Sequence, residues 1–227
     1  MDSCTEVRFT ALQVSRYDRT MVDDQALILL MGAIASSDRS LALSLLASTP
    51  PLAVATLKRG ADRASAESFF FADCHSHVYA GDSALHVAAF AYETMLAQHL
   101  VIAGAEVRAR NRRGAEPLHS AATGAPGSRN WNPQHQAAVI AYLIEAGAEP
   151  NASAAGGVTA LHRAVRNRCS AAVRALLASG ADPHQANDRG STAFTLAAMT
   201  TGRSGSGSPQ AKTERELIVA MLETHTM

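Results

Sequence analysis

The chain has 227 residues, 47% of them hydrophobic, with twenty basic residues balanced by twenty acidic ones. This fits one large or two small folded domains, excludes a disordered polymer, and leaves no global field for nucleic acid or membrane. Alanine fills 46 positions and aromatics only 5%, so closely packed helices are expected rather than an aromatic-filled barrel.

From the N-terminus, residues 1–22 show no strong period and are expected to pack over the first unit or stay mobile. Asp24–Ala35 and Asp38–Ala47 read as a helix pair forming a terminal cap, and Pro51–Arg59 as a further helix stopped at Gly60. A short motif then recurs, as Ala84-Leu85-His86, Pro117-Leu118-His119 and Ala160-Leu161-His162, with Ala193-Phe194-Thr195 as a degenerate copy. Gly-Ala followed by an acid closes successive units at Gly60, Gly104, Gly147 and Gly180. Within each unit a Gly permits a tight turn and Ser or Thr caps a short helix. A second helix carries apolar residues at three- and four-residue spacing, as in Val173, Leu176 and Leu177, and a Gly in the left-handed conformation ends it. Units are therefore placed at 23–77 (cap and enlarged finger), 78–110, 111–153, 154–186 and 187–227, the last ending in a helix over Thr213–Glu223. His86, His119 and His162 recur at one repeat position, which predicts hydrogen bonds tying adjacent turns rather than ligands or bases.

Gly157 to Val165 followed by Val173 to His184 resembles nearly the whole ankyrin-repeat signature, and matching motifs cover about residues 78–200. The resemblance implies an all-α solenoid of about five stacked helix-turn-helix units with short β-hairpin-like fingers. It also implies a non-enzymatic scaffold that binds another protein through a concave face. The order of the inserts resembles that of a group of bacterial ankyrin-repeat proteins, which adds no function.

Three departures from the period are candidate functional sites. Gly60 to Gly81 spans 21 residues against ten in the later turns, and holds Phe69, Phe70, Phe71, Asp73, Cys74, His75, His77 and Tyr79. A short helix plus strand sealing the join between cap and first regular repeat is expected, the alternative being an aromatic and imidazole lip over the groove. Cys74, His75 and His77 offer suitable zinc ligands, but paired four-ligand spacing is missing and no metal or other cofactor is expected. The second departure, Thr123–Gln136, carries the single tryptophan, Trp131. The third, Thr200–Thr213, is rich in Gly and Ser; it lacks the order of a phosphate-binding loop and reads as a flexible linker. Both inserts occupy the turn between the two helices of their units, so stacking should place them beside the unit-four turn, where Arg168 replaces a signature Gly. Arg129, Trp131, Arg166, Arg168 and Arg203 are thus expected to border one concavity.

A second basic group, Arg108, Arg110, Arg112 and Arg113, lies on the finger and the start of unit three, at positions that face the groove in the resembling family; Arg110, Arg112 and Arg113, with Tyr79 of the enlarged finger, are candidate partner-binding residues. Ten arginines oppose five acidic residues between Val107 and Gly190, which favours an acidic or phosphorylated partner surface over long nucleic acid. The leading expectation is a monomeric protein-binding module, the alternative a binder of a small anionic ligand at the Arg and Trp edge. Nucleophile-elbow, zinc-protease and nucleotide motifs are missing, so no enzyme is expected, although Cys169 beside Arg166 and Arg168 raises the question of a lowered thiol pKa. Three widely spaced cysteines, no leader pattern and no long apolar run point to a soluble, cytoplasmic protein without membrane attachment.

Overall fold

Asp23 starts the first helix by accepting the Gln25 backbone N–H, and Asp38 starts the second by accepting that of Leu41. In the computed structural model, which describes residues 23–63, 65–199 and 209–225, these are α1 (Asp24–Ala35) and α2 (Arg39–Ser48). The expectations for residues 1–22, for residues 200–208 of the third insert and for Arg203 lie outside the described residues, whereas residues 209–213, expected as linker, already belong to the last helix, Pro209–Thr224.

Four further helix pairs follow. They are α3 (Ala84–Phe90) with α4 (Thr94–Ile102), α5 (Pro117–Ala121) with α6 (Pro133–Glu145), α7 (Ala160–Arg166) with α8 (Ser170–Ala178), and α9 (Ala193–Ala198) with α10 (Pro209–Thr224). Every first helix packs on the next first helix, and every second helix on the next second helix, giving two parallel layers. Alanine makes the inner layer possible: Ala84, Ala88, Ala121, Ala160 and Ala164 are fully buried, so neighbouring backbones approach closely. Between the layers lie Leu30, Leu85, Leu96, Leu100, Leu118, Ile140, Leu143, Leu161 and Leu176, all removed from water.

The three histidines act as expected. Nδ1 of His86, His119 and His162 accepts the backbone N–H of Ser83, Glu116 and Thr159, so the proton sits on Nε2. Nε2 then donates to the carbonyl of Ala115, Val158 and Ser191, each at the entry to the next unit. Burial lowers all three pKa values, that of His119 to about 3, which keeps the rings neutral and able to do both jobs. In the fifth unit Thr195 takes the acceptor half of the role from Thr192 N–H.

Fingers stack by backbone bonds: Arg112 N–H to Ala80, Ala155 N–H to Arg113 and Asp188 N–H to Gly156. The fourth-unit finger is a hairpin, β3 (Ser153–Ala154) against β4 (Val158–Thr159). Asn111 and Asn187 hold the third and fifth with their side-chain carbonyls. The expected Gly-led turns take positive φ at Gly114, Gly157 and Gly190, as do the helix ends at Gly104, Gly147 and Gly180.

One element differs from expectation. Pro51–Arg59 is not a helix: a 3₁₀ turn covers Pro50–Ala53, and beyond it Thr56 forms an isolated antiparallel bridge with Ser83. Leu57 exchanges backbone bonds with Gly81 and Asp82, and Asp24 accepts the N–H groups of Lys58 and Arg59. Pairing with the next finger satisfies these amides better than a lone helical turn would.

Candidate functional site

The enlarged finger closes part of the groove face, where inner helices and fingers meet. A 3₁₀ turn over Glu67–Phe69 leads into β1 (Phe70–Phe71), which pairs with β2 (Ser76–His77). Phe69 and Phe71 pack on the core, and a Cβ on Gly32 of α1 would touch Phe71 at 3.7 Å. Phe70 lies between the rings of His75 and His77, with centroids at 5.3 and 4.8 Å. Beneath the hairpin a cavity of about 20 Å³, lined by Phe71, Cys74, Val87 and Phe90 among others, has room for about one water. The finger thus packs over the join through Phe69 and Phe71, as a 3₁₀ turn and a hairpin rather than the expected helix and strand, and all three phenylalanine rings stay half-buried. Burial pushes the Cys74 thiol up to about 11, and among the described residues no cluster of three or more His, Cys, Asp or Glu is placed to hold a metal ion.

The insert of unit three adds to this packing. The Asn130 side-chain amide donates to the carbonyl of Asp73 at the tip of the finger. Trp131 donates from its indole to Gln136, whose amide donates to Ala121 and Thr123. Gly124 is where the insert meets its neighbours: a Cβ there would lie 2.8 Å from the Cys169 sulfur, the Trp131 ring and the Tyr92 hydroxyl. The insert thus flanks the unit-four turn, as stacking predicts, but it does so with its buried side.

That packing corrects the expected five-residue edge. Trp131 faces its own loop and Cys169, and it does not border the concavity that Arg166 and Arg168 line. Arg129 is exposed on the insert and forms no ion pair among the described residues. The buried face was already occupied by Tyr92, whose hydroxyl donates to Thr123 at 2.6 Å, and by Cys169. An apolar, hydrogen-bonded niche draws the indole inward. The Cys169 thiol is pushed up to about 12 by burial, the opposite of an activated nucleophile.

Arg168 sits at φ 60, in the left-handed place that the signature gives to Gly. Ser37 and Tyr92 take the same conformation at the equivalent turns of the first and second units. Arg168 is buried, so it serves the turn more than an open edge.

The second basic group divides. Arg110 turns to Glu116, at 3.3 Å, and to the Ser153 carbonyl, while Arg108 lies 3.9 Å from the other Glu116 oxygen. Arg112 and Arg113 instead hold Tyr79. Their guanidinium carbons lie 5.3 and 4.6 Å from its ring centre, and Arg113 donates to its hydroxyl at 3.2 Å. Arg112 also donates to the Ala61 carbonyl, which anchors the base of the enlarged finger.

Two arginines missed in the sequence belong to the same face. Arg163, the residue after the repeated His162, reaches back over unit three and donates to the His119 carbonyl at 3.3 Å. Burial lowers its pKa to about 10, with Arg113 and Arg166 adding like-charge repulsion. The signal was its repeat position, one step past a buried histidine on an inner helix. Arg189 lies on the fifth finger and, with Arg166, Arg168, Asp188 and Arg215, borders a concavity of about 580 Å³ between units four and five. Arg166 and Arg189 form no ion pair with a carboxylate among the described residues, whereas Arg215 is held by the carbonyls of Ala197 and Ala198 at the end of α9.

No helix among the described residues is long and apolar enough to cross a membrane. A comparison with curated proteins finds no match. A family profile described as ankyrin repeats (3 copies) matches residues 85–187 and again 125–204, the stretch holding the recurring histidines and Gly-led fingers. The profile match, the stacked helix pairs and the histidine ties together place this chain in the ankyrin-repeat family.

Proposed function

We propose that the protein is a monomeric, non-enzymatic interaction scaffold that binds an acidic segment of a partner protein along the groove face of units three to five. Ankyrin repeats are in general protein–protein interaction modules, and the family is typically non-enzymatic. The observation that carries the reading is the row Arg112, Arg113, Arg163, Arg166 and Arg189, which shares one face with few acidic partners. The enlarged finger covers the corresponding face of the first two units, so the open part of the groove is the cationic part. Arg129 and Trp131 fall outside this surface, and Arg110 is engaged internally.

The test is fluorescence anisotropy with a labelled Glu- and Asp-rich peptide and the full chain. Each charge-assisted hydrogen bond contributes about 1.5–3 kcal/mol, so Arg113→Glu with Arg166→Glu should weaken binding at least about tenfold. The effect should shrink as salt shortens the Debye length. Unchanged affinity in the double variant would sink the reading.

A second reading, a binder of a small anionic ligand, is favoured by one observation: the concavity bordered by Arg166, Arg168 and Arg189 is of small-molecule size. Its position moves from the expected tryptophan edge to the space between the fourth and fifth fingers.

A further inference from the structure

The groove meets the enlarged finger at one end, and the groups gathered there point to a more specific ligand. This inference rests on the groove face being the binding surface. We propose that Arg113, Arg163 and the Tyr79 hydroxyl form a receptor for one dianionic phosphoryl group, with Arg166 next along the groove.

Arg163 supplies the first argument. Its stem is covered, and its one hydrogen bond among the described residues goes to the His119 carbonyl. A guanidinium has five N–H donors, so four remain. Among the described residues Glu116 Oε2 is the buried side-chain polar atom without a hydrogen bond. The unbonded Arg163 nitrogens are therefore not fully sealed from solvent. Asp82, the carboxylate whose field acts on Arg163, is buried and already accepts from the Tyr79 backbone N–H at 2.7 Å and the Asn111 amide at 2.8 Å.

Arg113 supplies the second. Its guanidinium is steadied over the Tyr79 ring and bonded through one nitrogen to the hydroxyl oxygen. The outer edge of the fork stays free, and the Tyr79 O–H keeps its own proton to donate. Arg112, tied to the Ala61 carbonyl, lies 5.3 Å from the centre of the Tyr79 ring and helps to hold it. The donors thus come from a finger, a neighbouring finger and an inner helix, and are held before any ligand arrives.

The chemistry favours phosphoryl over carboxylate. One planar fork satisfies a carboxylate, whereas a phosphoryl group offers three oxygens and close to two charges. Like charges held together here repel one another, and a dianion relieves that repulsion more fully than a single charge does. The enlarged finger packs over the inner helices of the first two units, so a bound chain would run from the fifth unit toward this site.

The experiment titrates the full chain with a labelled peptide carrying one phosphoserine between glycines. The same peptide with Ser, or with Glu at that position, and inorganic phosphate as competitor are run in parallel. Phosphopeptide binding at least tenfold tighter than the Ser and Glu forms is expected, with Arg113→Gln and Arg163→Gln each weakening it about tenfold and Arg129→Gln leaving it unchanged. Circular dichroism checks folding; if R163Q fails to fold, R113Q and Tyr79→Phe carry the test, Y79F weakening binding severalfold. A phosphopeptide at least tenfold tighter than inorganic phosphate identifies a phosphorylated chain as the ligand, and equal affinity identifies the free anion; both support the receptor. A Glu peptide that binds as tightly as the phosphopeptide, or R113Q and R163Q without effect on it, overturns the receptor. Glu-peptide binding that still depends on Arg113 would leave the acidic-segment reading standing, whereas loss of all peptide binding removes both.

Discussion

Replacing His119 by Ala removes a tie between units three and four whose two ends are both buried. Nδ1 accepts the Glu116 N–H at 3.2 Å and Nε2 donates to the Val158 carbonyl at 3.1 Å, and the ring has no exposed surface. Each orphaned backbone group costs about 1–3 kcal/mol, and the space left by the ring adds a cavity penalty. A loss of about 3–5 kcal/mol is expected at pH 7.5. The tie also carries a pH signature. The folded pKa of about 3 lies below the unfolded value near 6.5, so the unfolded chain takes up the proton first. The stability due to neutral His119 is complete above pH 6.5 and is lost as pH falls toward 3. At pH 5 about 2 kcal/mol of it is gone, each unit being worth about 1.4 kcal/mol. Urea denaturation of wild type and His119→Ala at both pH values measures this directly. The substitution should cost clearly less at pH 5 than at pH 7.5. An equal cost at the two pH values, or a total below about 1 kcal/mol, would refute the neutral double-bonded histidine.

Three further outcomes are expected. Gly124→Ser should disturb the insert, since its Cβ would fall 2.8 Å from Cys169, Trp131 and Tyr92; a shift in Trp131 fluorescence and a loss of about 1–3 kcal/mol check this. Gly180→Val should cost about 1–2 kcal/mol through backbone strain alone, because φ is +88° and no atom lies within 4 Å of the new Cβ; an unchanged urea midpoint would argue against it. Phe71→Ala should loosen the enlarged finger from α1, at about 2–3 kcal/mol for a ring that is only partly buried. Faster hydrogen exchange confined to residues 67–79 would show that the finger had been released.

The repeat was legible in the sequence because its physics is local. A Gly at positive φ, a cap residue and a histidine three positions later recur at fixed spacing, and each unit must stack on copies of itself to bury its apolar face. That logic gave the five helix pairs, the Gly-led fingers and the histidine ties without reference to any distant contact. It failed first at Pro51–Arg59, where the conformation was decided by Asp24 at the start of the cap and by Gly81 and Asp82 of the next unit. It failed again at Trp131, because composition cannot say which side of a loop meets Tyr92 and Cys169. The same limit hid the relation between two departures from the period: Asn130 and Asp73 are 57 positions apart and meet only when the finger lies over the inner helices. Arginines were legible as a local excess of charge, but their division was not. Glu116 and Ser153 engage Arg110, the unit-four turn buries Arg168, and Tyr79 holds Arg113 toward the open groove, where Arg163 arrives from the next unit. Sequence determined which charges the chain carries, and tertiary packing decided which of them water can reach, because desolvation depends on neighbours supplied by other repeats.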